Sequence, residues 1–342
     1  MPSTIREVAR QAGVSVSTVS RVLNDYPFVS AEARRRVVVA MEQLDYRPDM
    51  AARSMRTGTS RAVGFVVPDI TNPVFAGIAK GVDEILQEQG YSLVLAHSGN
   101  DPAHEAKQLE MLAHRRIEGL IVAVADEEEP GLHERLSRFR ACVLFDREVD
   151  GSGADLVCTD HEAGMTQALT HLAGLGHRRI ALVAGNPSQY ASRARVTAYR
   201  RAASALGLVR DRRLVVTGVH SRETGYAAAE RLLALSAPPT AIVAGNNQLT
   251  AGVLEALRDL GRRIPGDVSL VGTDDVELTR LHDPPIDVIA RDLVAHGREA
   301  ALLLLGRLAD LDGPLRRVVL PARYIPRGTS APPRIGSGKR VA

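Results

Sequence analysis

The residues best suited to grip a small polar molecule stand where short apolar runs stop. Asp69, Thr71 and Asn72 follow AVGFVVP, and Asp146 and Arg147 end ACVLF. Arg193 and Arg195 follow RIALVAG, His220 follows LVVTG, and Asn246 and Asn247 end TAIVAG. Thr273, Asp274 and Asp275 end VSLVG, and Arg291 ends DVIA. Carboxylates accept hydrogen bonds while guanidinium and amide groups donate them, so such a set suits a hydroxyl-rich ligand. Phe75 is the aromatic placed to stack on a ring, in a chain with five Phe and no Trp. Arg147, Arg195 and Arg291 favour a sugar acid or sugar phosphate, because guanidinium forks match such anions. Asp69, Asp146 and Asp274 argue for a neutral sugar. Any one of these Asp or Arg residues has a plainer reading as an inter-lobe ion pair or a helix cap.

Signals for catalysis are missing. There is no G-x-G-x-x-G after a strand, no phosphate-binding P-loop, no H-E-x-x-H and no G-x-S-x-G. Cys142 and Cys158 cannot build a disulfide scaffold or a four-ligand zinc site. His171 and His177 flank the LAGLG turn and read as structural, and the run Asp126 to Glu129 reads as a solvated loop and helix start. No enzyme activity, cofactor or metal is expected.

The elements that must position the polar residues are legible in the hydrophobic pattern. From residue 61 short apolar runs alternate with helical stretches such as 74–89, 161–175 and 248–261. The runs AVGFVVP, YSLVLAHS, GLIVAVA, ACVLFD, RIALVAG, TAIVAGN, VSLVGTDD and DVIAR read as buried parallel strands. This is an α/β pattern with helices on both faces of parallel sheets. About ten such units exceed one compact sheet, so two similar lobes follow, with a ligand cleft between the carboxyl ends of their strands.

Residues 1–46 have a different texture, three short helices. Thr4 and Glu7 form a capping box, and Ile5, Val8, Ala9 and Ala12 make an amphipathic stripe that Gly13 ends. Ser15 caps a second helix with Val19, Val22 and Leu23 inward; Ser30 caps a third with Val37, Ala40, Met41 and Leu44 inward. Ala9, Gly13, Val14 and Val19 have the types and spacing of a helix-turn-helix. Residues 1–60 carry net charge +3, residues 61–325 carry −4 and residues 326–342 carry +4. A basic head on an acidic body points to a polyanion partner for the head. The Arg34-Arg35-Arg36 run reads as a solvated helix face.

The segments TIREVARQAGVSVSTVSRVLN and VSAEARRRVVVAMEQLDYRPDMAARSMRTGTS resemble the head of a lactose-repressor (LacI/GalR) family regulator. The resemblance continues to about residue 325. It implies a small all-α helix-turn-helix head (1–46), a hinge helix and linker (47–60), and a two-lobed periplasmic-binding-protein-like core (61–325) that binds effector and dimerises. It makes Val16, Ser17 and Arg21 the base readers, with Arg21 able to grip guanine O6 and N7. It makes Thr4, Thr18 and Asn24 phosphate anchors, roles that can coexist with capping and packing. Ala51, Ala52 and Met55 match the hinge-helix face that enters the minor groove, Met55 standing where leucine is usual. The family's ligand contacts fall on Asp69, Asn72, Phe75, Asp146, Arg147, Arg195, His220, Asn246, Asp274 and Arg291, with Asp160 at the cleft edge. Asn247 replaces a commonly acidic residue, and His220 stands where an aromatic often stacks.

These expectations combine into a homodimeric repressor of a near-palindromic DNA operator, governed by a small effector, a sugar or sugar derivative. Two rivals stand beside it: a sugar-binding receptor with no DNA role, and an α/β enzyme with a regulatory head. No apolar run approaches 18 residues and the N-terminus lacks an apolar signal core, so a cytoplasmic protein with no membrane partner is expected. Residues 326–342, rich in Pro, Gly and Ser and without heptads, are expected to be disordered and to leave the assembly a dimer.

Overall fold

The computed structural model of the chain describes residues 3–23, 26–46 and 60–334. The chain divides into two compact units, 1–60 and 61–342.

The first unit holds helices α1 (Ile5–Ala12), α2 (Val16–Leu23) and α3 (Ala31–Gln43). The capping box at Thr4 is formed on both sides, with Glu7 N donating to Thr4 Oγ1 and Thr4 N donating to Glu7 Oε2. Gly13 closes α1 in the left-handed region at φ 61°, where a Cβ is disfavoured. Ser15 Oγ accepts from Thr18 N and starts α2. Val8, Ala9, Ala12, Val19, Val22, Val37 and Ala40 form the buried core of this unit. The arginine run is more than a solvated face, because Arg36 donates to Gly13 O and Arg34 to Tyr26 O, tying the turn and loop to α3.

The second unit is two lobes of one plan. In the first, strands β1 (Ala62–Val67), β2 (Ser92–His97), β3 (Gly119–Val122), β4 (Ala141–Phe145) and β5 (Asp155–Asp160) lie in the order β2-β1-β3-β4-β5. In the second, β6 (Ile180–Ala184), β7 (Val215–Thr217), β8 (Ala241–Ala244), β9 (Ser269–Thr273) and β10 (Asp287–Arg291) repeat that order as β7-β6-β8-β9-β10. All these neighbours are parallel. Strand β11 (Arg317–Ile325) joins the lobes: Arg317 to Pro321 pair parallel with β5, and Ala322 to Ile325 pair antiparallel with β10.

Helices cover both faces. The first lobe carries α4 (Pro73–Glu88), α5 (Pro102–His114), α6 (Leu132–Leu136) and α12 (Leu293–Ala309). The second carries α7 (His161–Gly174), α8 (Tyr190–Ala205), α9 (Arg222–Leu233), α10 (Asn247–Asp259) and α11 (Glu277–Leu281). Each lobe has two apolar clusters, one on each side of its sheet. Helices α4 and α12 approach so closely that a Cβ on Gly81 would clash with Val294 O, and one on Gly297 with Ile78 O.

The structure corrects several further expectations. YSLVLAHS is not a fully buried strand; β2 is an edge, with Leu95 39% exposed. Strands β5, β7 and β11 are additional to the eight runs read as strands. The expected disorder from residue 326 does not begin there. Thr329 is buried and donates to Leu270 O, Ser330 donates to Asp287, and Ala331 O accepts from Ser269, so residues 326–334 close the second lobe. Another correction concerns the acidic run at 126–129, described with the site. Among the described residues no helix is long and apolar enough to cross a membrane.

Candidate functional site

The strands of both lobes end at a common cleft. Its lining includes Asp69, Asn72 and Phe75 after β1, Asp146 and Arg147 after β4, and Arg195 from α8. His220, Asn246, Asn247, Asp274 and Arg291 complete the opposite wall. The cleft encloses about 650 Å3, the open mouth included. Pro68, Val74, Asn100, Ala123, Phe145, Ala191 and Gln248 also line it and are additional to the sequence-derived set. Their types are unremarkable; only the fold reveals their position. Asp160, expected at the edge, does not line the cleft. Its carboxylate accepts from Ala163 N at 2.9 Å and caps α7.

Arg291 is the electrostatic centre. It donates to Asp146 of one lobe and, from Nε at 3.0 Å, to Asp274 of the other. Both aspartates lie in the left-handed backbone region, at φ 47° and 72°. Such non-glycine residues are uncommon and cluster at functional sites. Burial alone would raise the Asp146 carboxyl, but the charge of Arg291 holds it well below the ordinary carboxylate range. Thr159 N and Oγ1 add two more hydrogen bonds to it.

The three cleft arginines differ in what they have left to offer. Arg291 is paired with two carboxylates. Arg147 donates from Nε to Val124 O at 2.7 Å and from one terminal nitrogen to Asp146 O at 2.9 Å. Arg195 is 5% exposed and its Nε has no hydrogen-bond partner. Burial and the charge of Arg291 push its pKa down to about 10. A buried guanidinium with unmet donors is costly unless acceptors reach it.

The second wall is held by a polar chain. Asn246 caps α10 through Oδ1, which leaves its Nδ2 to donate to His220 Nδ1 at 2.5 Å. The ring proton therefore sits on Nε2, facing Ser192 Oγ at 3.2 Å. Burial and the charges of Arg195 and Arg147 depress His220 to about 3, so the ring is neutral. Burial and Arg195 likewise depress His161, beside Asp146, to about 4. Asn72 caps α4 and also accepts from Asn247 of the other lobe at 3.0 Å.

The acidic run is only partly solvated. Glu128 is exposed, but Glu127 is buried and accepts from Tyr190 N at 2.6 Å and from Arg193 at 2.7 Å, both in the other lobe. Nothing in a run of four acids distinguishes the one that is buried.

On the first unit Val16, Ser17 and Arg21 are exposed along α2, Val16 by 43%. Thr4 is exposed at the start of α1, and Thr18 is half-buried with its hydroxyl 2.9 Å from Ser15 Oγ. Asn24, Ala51, Ala52 and Met55 lie outside the described residues. No group of three or more His, Cys, Asp or Glu able to hold a metal occurs among the described residues.

Comparison with known proteins bears on both units. Residues 4–49 match the family described as bacterial regulatory proteins, lacI family, and residues 169–330 match a periplasmic binding protein-like domain. The chain is 31% identical over 329 residues to the HTH-type transcriptional repressor PurR of Vibrio atlanticus, covering 96% of this chain and 98% of that one. It is 33% identical over 311 residues to PurR of Haemophilus influenzae, covering 91% and 92%. Among solved structures it is similar to the lac repressor dimer bound to operator and the anti-inducer ONPF, with TM-score 0.84, 26% identity and coverage of 97% and 100%. It is also similar to a complex of the transcriptional regulator CelR with cellobiose, with TM-score 0.72, 30% identity and coverage of 96% and 100%. With relatives above 30% identity along nine-tenths of its length, a three-helix head that matches the lacI family and a two-lobed core, the chain belongs to the lacI family and is a DNA-binding transcriptional repressor, not an enzyme.

Proposed function

We propose that the cleft binds a sugar or sugar derivative and that its occupancy sets operator affinity. The observation that carries this reading is the convergence of Arg195, Asn246, Asp274 and Asp69 around one cleft that has Phe75 on its wall. Acceptors, donors and an apolar face together are what a polyhydroxylated ring requires. Cellobiose in the CelR complex and ribose in a lacI-family regulator from Enterococcus faecium support a sugar here. Arg195 is the donor awaiting acceptors, and an acidic or phosphorylated sugar meets its charge best.

The protein works as a cytoplasmic homodimer on a near-palindromic site, two heads occupying adjacent half-sites. The operator-bound lac repressor dimer supports that assembly. Val16, Ser17 and Arg21 read base edges, Thr4, Thr18 and Asn24 hold phosphates, and Ala51, Ala52 and Met55 enter the minor groove. Asp69, Asn72, Phe75, Asp146, Arg147, Arg195, His220, Asn246, Asp274 and Arg291 form the effector site. Ligand binding changes the fit of the lobes and, through the paired subunits, the ability of the hinge segments to fold on DNA. Coupling is reciprocal: a ligand that weakens DNA binding tenfold is itself bound tenfold more weakly on DNA.

The test is a thermal-shift screen of the full chain against pentoses, hexoses, disaccharides, sugar acids, sugar phosphates, nucleobases and nucleosides. A ligand at about 100 times its Kd stabilises by roughly 2.7 kcal/mol, a shift of several degrees. A sugar-class hit that Arg195→Ala abolishes supports the reading. A hit confined to nucleobases or nucleosides replaces it.

A further inference from the structure

Helix α8 carries Ala191 and Arg195 to the cleft, yet it lacks a cap of its own. Gln189 at its N-cap makes no side-chain bond to the helix. Its amide reaches instead to the first lobe, Nε2 donating to Ala125 O at 2.9 Å. The cap comes from that lobe too. Glu127, with its side chain 3% exposed, accepts Tyr190 N, the first helical amide, at 2.6 Å on Oε1. Its Oε2 accepts from Arg193, one turn along, at 2.7 Å. A carboxylate is well suited here, because it meets orphan N–H groups at the positive end of the helix dipole. Gly185, Pro187 and Ser188 precede the helix, and Arg193 also donates to Ser188 O at 2.6 Å, so the same guanidinium gathers the loop and the carboxylate.

We propose that Glu127 is a positioning residue for the cleft: it caps α8 from the opposite lobe and so makes the placement of Arg195 depend on lobe closure. The proposal deepens the effector reading, on which its functional meaning rests. When the lobes part, Tyr190 N loses its acceptor and the first turn of α8 loosens. When they close, the helix is completed and Arg195 is held at the cleft wall. Glutamine at 127 keeps an acceptor for Tyr190 N and gives up the charge attraction for Arg193, so it should retain part of the effect.

Hydrogen–deuterium exchange of the ligand-free full chain tests this without knowledge of the effector. Wild type, Glu127→Ala, Glu127→Gln and the control Glu128→Ala are compared. The expected result is exchange at residues 190–195 roughly tenfold or more faster in Glu127→Ala, an intermediate rate in Glu127→Gln, no change in Glu128→Ala, and unchanged rates in α10 throughout. Wild-type rates at 190–195 in Glu127→Ala overturn the proposal. So does equal acceleration in α10, which marks a general loss of stability. A blank effector panel beside the expected exchange pattern overturns the sugar reading and leaves the cross-lobe cap in place.

Discussion

Arg291 ties Asp146 of one lobe to Asp274 of the other, all three side chains being buried. Removing one partner of such a buried set strands the others, so Arg291→Ala should lower unfolding free energy by about 3–5 kcal/mol, read by urea titration. Arg195→Ala should behave in the opposite way, removing ligand-induced stabilisation while leaving ligand-free stability little changed, because its Nε bonds to nothing in the protein. The buried titratable groups give a pH signature. His161 and His220, depressed from 6.5 to about 4 and about 3, contribute stability that is complete above pH 6.5 and is lost as pH falls toward those values. Glu105, pushed up to about 7 by burial, works in reverse: its contribution is complete below the ordinary 4.5 and is lost as pH rises through 7. From these three groups, melting temperature should climb from pH 4.5 to about 6.5 and then dip. His220→Gln should flatten the climb by one proton. A climb of undiminished slope in that variant would count against the buried neutral ring. Most of the polar residues lining the cleft were legible because they stood where an apolar run ended; Asn100 and Gln248 gave no such signal. Asp160 also ends a strand, but its carboxylate turns back to its own helix. Glu127 was illegible, since burial of one acid among four is decided by a helix from the other lobe.

The elements show why some strands escaped the hydrophobic pattern. β5 begins with Asp155, a residue that reads as a turn, but it is buried and paired with Arg307 and Arg316. β11 contains Pro321 and two arginines, a composition unlike a central strand. It pairs with β5 up to Pro321 and with β10 beyond, so the proline marks the change of lobe. Residues 326–334 looked disordered because they are polar, yet Asp287 alone accepts from Arg327 N, Thr329 N and Ser330. Truncation after Pro326 should therefore lower the melting temperature by several degrees, whereas truncation after Arg334 is a useful comparison. Helix packing gives a second prediction at this scale. Gly297→Ala places a methyl against Ile78 O, and the overpacking should cost about 1–3 kcal/mol in a chemical melt. Helices with clear period and caps, α1, α3, α4 and α10, were read to within a residue or two, because cap residue and apolar stripe agreed.

The second unit uses one five-strand plan twice. The repeat places Asp146 after β4 and Asp274 after β9, equivalent ends in the two lobes, both facing Arg291. Two lobes that meet through a few buried polar bonds have a closure equilibrium that a ligand can bias by bonding to both. On the head, Arg21→Ala should weaken operator binding by about 1–3 kcal/mol and relax preference at one base pair per half-site, seen in a competition gel shift. The two-lobed plan was legible in the count and alternation of apolar runs; the bridging strand and the closing tail were not, because both depend on contacts distant in the chain. A cleft ligand and the DNA site should share a coupling energy. The direct measurement is fluorescence anisotropy of DNA from upstream of the gene, titrated with the full chain with and without the compound that raises its melting temperature. The expected change in Kd is roughly 5–150-fold, absent in Arg195→Ala. An identical Kd with and without saturating compound would contradict it.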